Sequence, residues 1–283
     1  MAKQIIHEQK TEYAIVLSAN ATVVEQTAAK ELQQYLKKAT GAWVSIICEG
    51  DAERKAFYVG HTLYAKQADV AGKTKENWII CMHEENVILT GGVRADDRGV
   101  LYAVYHFLED VVGIRWWARW EEYVPEVRTL LLEDNFRSEG TPAFDYRMIY
   151  SHRKADSFFY DARNRGNVLL GDVRLENGIY HESIAQLGGA MHMGRPDHVH
   201  TLGKYFPPKE YFAEHPEWYA WNNAMGKRVP YSHFCLTNED LFEAILERLM
   251  SYIEEDREIS AKTGVEPPCF YSISFPDSIV EGF

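Results

Sequence analysis

From residue 22 to residue 38 the apolar positions fall three and four apart. Val23, Val24, Ala28, Leu32, Tyr35, Leu36 and Ala39 would share one face of an amphipathic helix, which Gly41 closes. Short apolar runs on either side, at 3–9, 13–18, 43–48 and 56–60, read as strands. Residues 78–82 and 87–90 form a hairpin pattern across His83-Glu84-Glu85-Asn86. Gly91-Gly92 then breaks the pattern, a second helix is predicted over about 97–112, and Gly113 stops it. A closing strand is expected at 130–136. These elements describe a small α/β sandwich domain over residues 1–140.

At Glu139-Gly140-Thr141-Pro142 the signals change to those of a linker. Beyond it the pattern predicts a strand at 144–150, a helix at about 155–164, a strand at 167–171, a helix at about 238–262 and a strand at 270–274. A glycine- and histidine-rich stretch spans 188–203. Strand and helix alternating at this spacing suit parallel βα units, in a barrel or a doubly wound sheet. A complete barrel needs roughly 250 residues. Residues 141–283 are therefore expected to form a partial (β/α) TIM-like barrel, either the start of a longer chain or a half completed by a second copy.

Composition narrows the ligands. The chain of 283 residues carries 42 acids against 30 bases, a formal charge of −12, without a basic run. Nucleic acid and anionic membrane are poor partners, because both need a basic face. No window approaches the ~18 apolar residues of a membrane span, and the N-terminus lacks the apolar core of a signal peptide, so the protein as written reads as cytoplasmic, or as secreted or periplasmic if a signal peptide has been removed. Cys48, Cys81, Cys235 and Cys269 are far apart, which excludes a C-x-x-C redox or zinc motif; each sits in a strand-like run and is expected to be a buried free thiol. Gly91-Gly92-Val93-Arg94 matches no phosphate loop, and no G-x-S-x-G occurs. No cofactor and no metal is expected.

Two blocks carry a family resemblance. The helix motif Ala28-Ala29-Lys30-Glu31-Leu32-Gln33-Gln34-Tyr35-Leu36 with Thr40-Gly41, and Arg98-Gly99-Val100-Leu101-Tyr102 followed by Gly113-Ile114-Arg115-Trp116-Trp117 and Glu122-Tyr123-Val124-Pro125, resemble the N-terminal domain of α-glucuronidases and β-hexosaminidases. The block Tyr211-Phe212-Ala213-Glu214-His215-Pro216-Glu217-Trp218-Tyr219 with Cys235-Leu236-Thr237-Asn238 resembles the glycosidase-like domain of unknown function 4838. The resemblance implies an α/β domain without chemistry of its own, next to a barrel that binds carbohydrate. Acids at the carboxyl ends of barrel strands do the chemistry in the related hydrolases, and Asp277, after the strand at 270–274, matches such a position.

Candidate site residues follow. Asp277 is the candidate catalytic acid; glycoside cleavage normally needs a second carboxyl group, which would come from a further strand. Arg147 and His152 lie near the two ends of the strand at 144–150, His152 at the active-site end. His198 and His200, two apart, would point to one side of a strand. Zinc would need a third ligand, and no Glu or Cys stands at a matching spacing, so a sugar contact or a glycine-rich lid is expected. Tyr219 and Trp221 would share a strand face as stacking surfaces for pyranose rings, with Trp218 on the other. Trp116, Trp117 and Trp120 read as core or interface. The expected function is that of a carbohydrate-active, glycoside-hydrolase-like protein acting on an oligosaccharide or glycoside; the alternative is a non-catalytic carbohydrate-binding or scaffold protein.

Overall fold

The computed structural model describes residues 2–51, 55–148, 158–168, 185–191, 193–230, 233–264 and 266–275. The chain divides into two compact units, Met1–Asp172 with Tyr180–Ala190, and Val173–Ile179 with Met191–Phe283. Both contain helix and strand, so the protein is of mixed α/β class. Among the described residues no helix is long and apolar enough to cross a membrane.

The first unit is built on a six-stranded sheet. In chain order its strands are β2 (Ala14–Leu17), β3 (Ile46–Cys48), β4 (Ala56–Val59), β5 (Trp78–His83), β6 (Asn86–Gly91) and β10 (Arg137–Gly140). They lie side by side in the order β10-β5-β6-β4-β2-β3. β3, β2, β4 and β6 run parallel, while β5 pairs antiparallel with both β6 and β10. Antiparallel pairs β1 (Ala2–His7) with β9 (Thr129–Glu133), and β7 (Arg115–Ala118) with β8 (Glu121–Tyr123), lie outside that sheet.

Helix α1 (Val23–Thr40) begins where the sequence expects. Thr22 and Glu25 form a reciprocal capping box, and Gly41, at φ 75°, ends the helix in the left-handed region. Its face of Val24, Ala28, Leu32, Tyr35, Leu36 and Ala39 is buried. The second long helix divides in two: α3 (Gly99–His106) continues as a π-helical turn over Phe107–Val112 before Gly113. Gly99 is required by close approach, since a Cβ there would lie 2.1 Å from the Gly92 nitrogen and 2.2 Å from the Asn77 carbonyl. The short helix α2 (Leu63–Gln67) packs Ala65 with Val16, Tyr58, Ile79, Cys81 and Ile88. Phe57, the alternate residue on β4, meets Phe107 edge-on at 5.6 Å. Alternation along each strand thus places α2 on one face of the sheet and the α3 segment on the other.

Three expectations are corrected here. Residues 137–140, read as the approach to a linker, form the edge strand β10, and the first unit runs past residue 140. Residues 144–148 belong to no strand: the Arg147 backbone bonds to Asn167 through that residue's main chain and side chain instead of entering a ladder. Cys81 alone of the four free thiols is buried, because it packs in the cluster with Val16, Tyr58, Ala65 and Ile88; Cys48 ends the edge strand β3 and is exposed, as is Cys269, and Cys235 is half-buried. Trp116 is buried as expected, but Trp117 and Trp120 are exposed.

In the second unit, short helices α5 (Leu202–Tyr205) and α6 (Pro208–Tyr211), a hairpin of β11 (Trp221–Asn222) and β12 (Lys227–Arg228), and the long helix α7 (Glu239–Thr263) surround an aromatic core. That core holds Leu202, Tyr205, Phe206, Trp218, Tyr219, Phe234, Leu241 and Ile245. Asn238 caps α7, and Gly264 closes it at φ 74°. The helix α4 (Phe158–Arg163) belongs to the first unit. The strand expected at 270–274 is reduced to one parallel bridge between Met193 and Phe270, because the residues beyond it bond largely to side-chain hydroxyls. A partial barrel is therefore not established among the described residues.

Candidate functional site

The segment from Met193 to Leu202 lies alongside residues 270–275. The Gly194 amide donates to the Phe270 carbonyl at 2.7 Å, and the Leu202 amide to that of Ser274 at 3.0 Å. Between these two ties Thr201 acts as a clasp: its hydroxyl donates to the Ser272 carbonyl at 2.8 Å and accepts from the Ser274 amide at 2.9 Å. A third anchor comes from α7. Arg195 Nε donates to the buried Asp256 carboxylate at 2.7 Å, and its Nη1 lies 2.8 Å from Glu255. The loop carrying 197–200 is thus held at both ends and from the side.

Within that loop Asp197 and His198 form a fixed pair. His198 Nδ1 lies 2.6 Å from the Asp197 carboxylate, which also accepts from the Lys204 ammonium and from the His198 amide. Burial pushes the Asp197 carboxyl up, but the hydrogen bonds from Lys204 and His198 outweigh it and hold the group well below the usual carboxylate range. An ionised carboxylate only accepts, so Nδ1 of His198 carries the proton of that bond. Its Nε2 is buried and has no hydrogen-bond partner among the described residues, and the side chain is only 10% exposed. An unpaired buried ring nitrogen of this kind costs about 1–3 kcal/mol, and a hydrogen-bonding group brought by a ligand would relieve it.

His200, at φ 55°, turns its Nδ1 to the Phe275 carbonyl at 3.0 Å. The Phe275 ring meets His233 edge-on at 5.1 Å, and the His233 carbonyl accepts from the Ala220 amide at 2.6 Å. Phe275 therefore links the histidine loop to the segment that carries Trp221. Trp221 is 52% exposed and Phe275 44%.

The remaining expected residues fare differently. Tyr219 is wholly buried, with its hydroxyl on the Phe206 carbonyl at 3.2 Å, so it is core and not a stacking surface. Its bridge to Phe234 turns it inward, and Trp218, in a 3₁₀ turn, is buried too. Arg147 is structural: in the first unit its guanidinium serves Glu76 at 2.9 Å, Tyr102 at 3.0 Å and the Arg165 carbonyl at 2.7 Å. His152 and Asp277 lie outside the described residues, as does His192 of the glycine- and histidine-rich stretch. Among the described residues no group of three His, Cys, Asp or Glu side chains is placed to hold a metal ion. Sequence reasoning passed over Asp197 and Lys204; adjacency in Asp197-His198-Val199-His200 was the available signal.

Residues 116–263 match the family described as domain of unknown function, DUF4838. The chain belongs to this family. No curated protein matches this DUF4838 chain. Among solved structures it is similar to a family GH115 4-O-methyl-α-glucuronidase with specificity for decorated arabinogalactans, at 14% identity and a TM-score of 0.48, over 80% of this chain and 33% of that one. It is also similar to a GH138 enzyme targeting pectin rhamnogalacturonan II, at 13% identity and a TM-score of 0.38, over 64% of this chain and 24% of that one. A Streptomyces plicatus beta-hexosaminidase is similar at 12% identity and a TM-score of 0.43, over 95% of this chain and 65% of that one. The DUF4838 chain thus spans between a quarter and two thirds of the length of these proteins.

Proposed function

We propose that this DUF4838 protein is carbohydrate-active and glycoside-hydrolase-like, and that its second unit, a partial (β/α) barrel, carries the sugar site. The observation that carries the reading is the Nε2 of His198, held by Asp197 and without a hydrogen-bond partner among the described residues. A sugar hydroxyl, which can donate or accept, pairs with such a nitrogen without bringing charge. The exposed faces of Trp221 and Phe275 suit the apolar face of a pyranose ring. A formal charge of −12 favours a neutral ligand over a polyanion. The parallel bridge between Met193 and Phe270, with α7 in the intervening chain, supports a βαβ crossover of the kind that repeats in a barrel. Asp277, two residues beyond Phe275 in the sequence, is the acid we assign to any hydrolysis.

Calorimetric titration with neutral oligosaccharides tests the reading. His198→Ala and Trp221→Ala should each weaken binding about tenfold, equivalent to ~1.4 kcal/mol, while Tyr219→Phe keeps affinity. Equal affinity in His198→Ala would overturn the site. Aryl glucuronides and N-acetylhexosaminides, with Asp277→Asn as control, separate hydrolysis from binding alone.

A further inference from the structure

We propose a second site, independent of the sugar reading: the cleft outside the carboxyl ends of β2 and β3 binds a small organic carboxylate. The two strands are parallel and in register, with Leu17 opposite Cys48, so both end at the same side of the sheet. The chain leaving β2 turns through Ser18–Ala21 directly into α1. A cavity of about 370 Å³ occupies this position. That volume lies at the lower end of the range of small-molecule pockets, roughly 300–1,000 Å³.

The lining defines the ligand. Leu17, Ala19, Ala21, Ile46 and Ile47 make an apolar wall. Lys30 is the one charged side chain among the lining residues, and it forms no ion pair among the described residues. Gln26 stands one turn before Lys30 on α1, so both reach the cleft from the same helix face. Its amide nitrogen donates to the Ala21 carbonyl at 2.9 Å, which holds the rim loop against the helix. In a chain of net charge −12, a cleft with one cation and no lining acid selects an anion. One ammonium against an apolar wall suits a monocarboxylate with a hydrocarbon body. A phosphate, which takes several donors, finds too few here.

Cys48 lines the same cleft and is exposed, so its thiol reports occupancy. The test is the rate of Cys48 alkylation by iodoacetamide, followed by mass spectrometry on the whole chain. 3-Phenylpropanoate is the probe; 3-phenylpropanol and inorganic phosphate are the comparisons. Cys235 and Cys269, accessible in the second unit, are internal controls. The carboxylate should slow Cys48 alkylation at least threefold and leave the controls unchanged. The alcohol should need about ten times the concentration, and phosphate should have no effect. In Lys30→Met, an exposed position, the preference for carboxylate over alcohol should vanish while the circular dichroism spectrum is kept. Equal protection by acid and alcohol, a preference surviving in Lys30→Met, protection by phosphate, or no protection at any concentration would each overturn the proposal.

Discussion

Helices α1 and α7 obey the same local rules and end in different surroundings. Each starts on a side-chain cap, Thr22 or Asn238, and each stops at a left-handed glycine. Eleven of the eighteen residues of α1 are buried, but only Leu241, Ile245, Asp256 and Ser260 of the twenty-five in α7. Phe242, Leu246 and Met250, four apart along α7, are 60%, 42% and 46% exposed. Local pattern thus specifies a helix, and its partners decide what the helix contributes to a core. α1 lies on a sheet assembled around it; α7 presents a second apolar stripe that the described residues leave open.

The largest effects should follow that contrast. Leu36 is fully buried, and Leu36→Ala should cost about 2–5 kcal/mol through lost burial and the cavity left behind. Leu246→Ala should cost no more than about 0.5 kcal/mol, the usual range for an exposed position. Urea unfolding of both variants, monitored for each unit by hydrogen exchange, decides the matter. Comparable losses would mean that the stripe of α7 is covered in solution.

Next comes the ion cluster of the first unit. Glu76 faces Arg147 at 2.9 Å and Arg98 at 3.3 Å, with Asn167 donating at 3.1 Å. Burial alone would raise its carboxyl, but Arg147, Asn167 and Arg98 hold it below the usual range. A depressed native pKa stabilises the fold above the unfolded-state value of about 4.3, and this contribution is lost as pH falls through the lower native value. Glu76→Gln should therefore cost about 3 kcal/mol at pH 7, because two largely buried guanidinium groups lose their counterion. The gap between variant and parent should narrow as pH falls below 4. A gap independent of pH would remove Glu76 as the titrating group.

The same two units differ in how much the sequence disclosed. In the first, glycine stops, strand alternation and the period of α1 all point one way, and the elements form close to where they are expected. Its errors concern pairing: Arg137–Gly140 carries no apolar signal, yet joins β5 because that edge was open. In the second unit the sheet was the expectation and side chains took its place. Thr201, Ser272 and Ser274 bond across the gap that a ladder would fill, a hydroxyl pattern without a period to read. Tyr219 illustrates the same limit, since alternation assigned it to the face of Trp221 and one bridge to Phe234 buried it. The histidines were legible as residues; their roles depended on Asp197 and on contacts with Phe275.

The smallest effects concern the caps, which are chemically alike in the two helices. Thr22 Oγ1 accepts from the Glu25 amide at 3.3 Å, and Asn238 Oδ1 accepts from the Leu241 amide at 2.8 Å. Removing such a cap typically costs ~1 kcal/mol. Thr22 has further duties: its hydroxyl donates to the Ala95 carbonyl at 2.7 Å, and its backbone amide donates to Glu25 at 2.8 Å. Thr22→Ala should therefore reach about 2 kcal/mol, the upper end of the measured range, and Asn238→Ala about 0.5–1 kcal/mol. Exchange rates at the Glu25 and Leu241 amides separate the two cases. In Asn238→Ala the Leu241 amide should exchange faster while the middle of α7 keeps its protection, because fraying is confined to the first turn. If Asn238→Ala instead released the whole of α7, that helix would be held by its cap more than by Leu241 and Ile245, and its contrast with α1 would be sharper than burial alone implies.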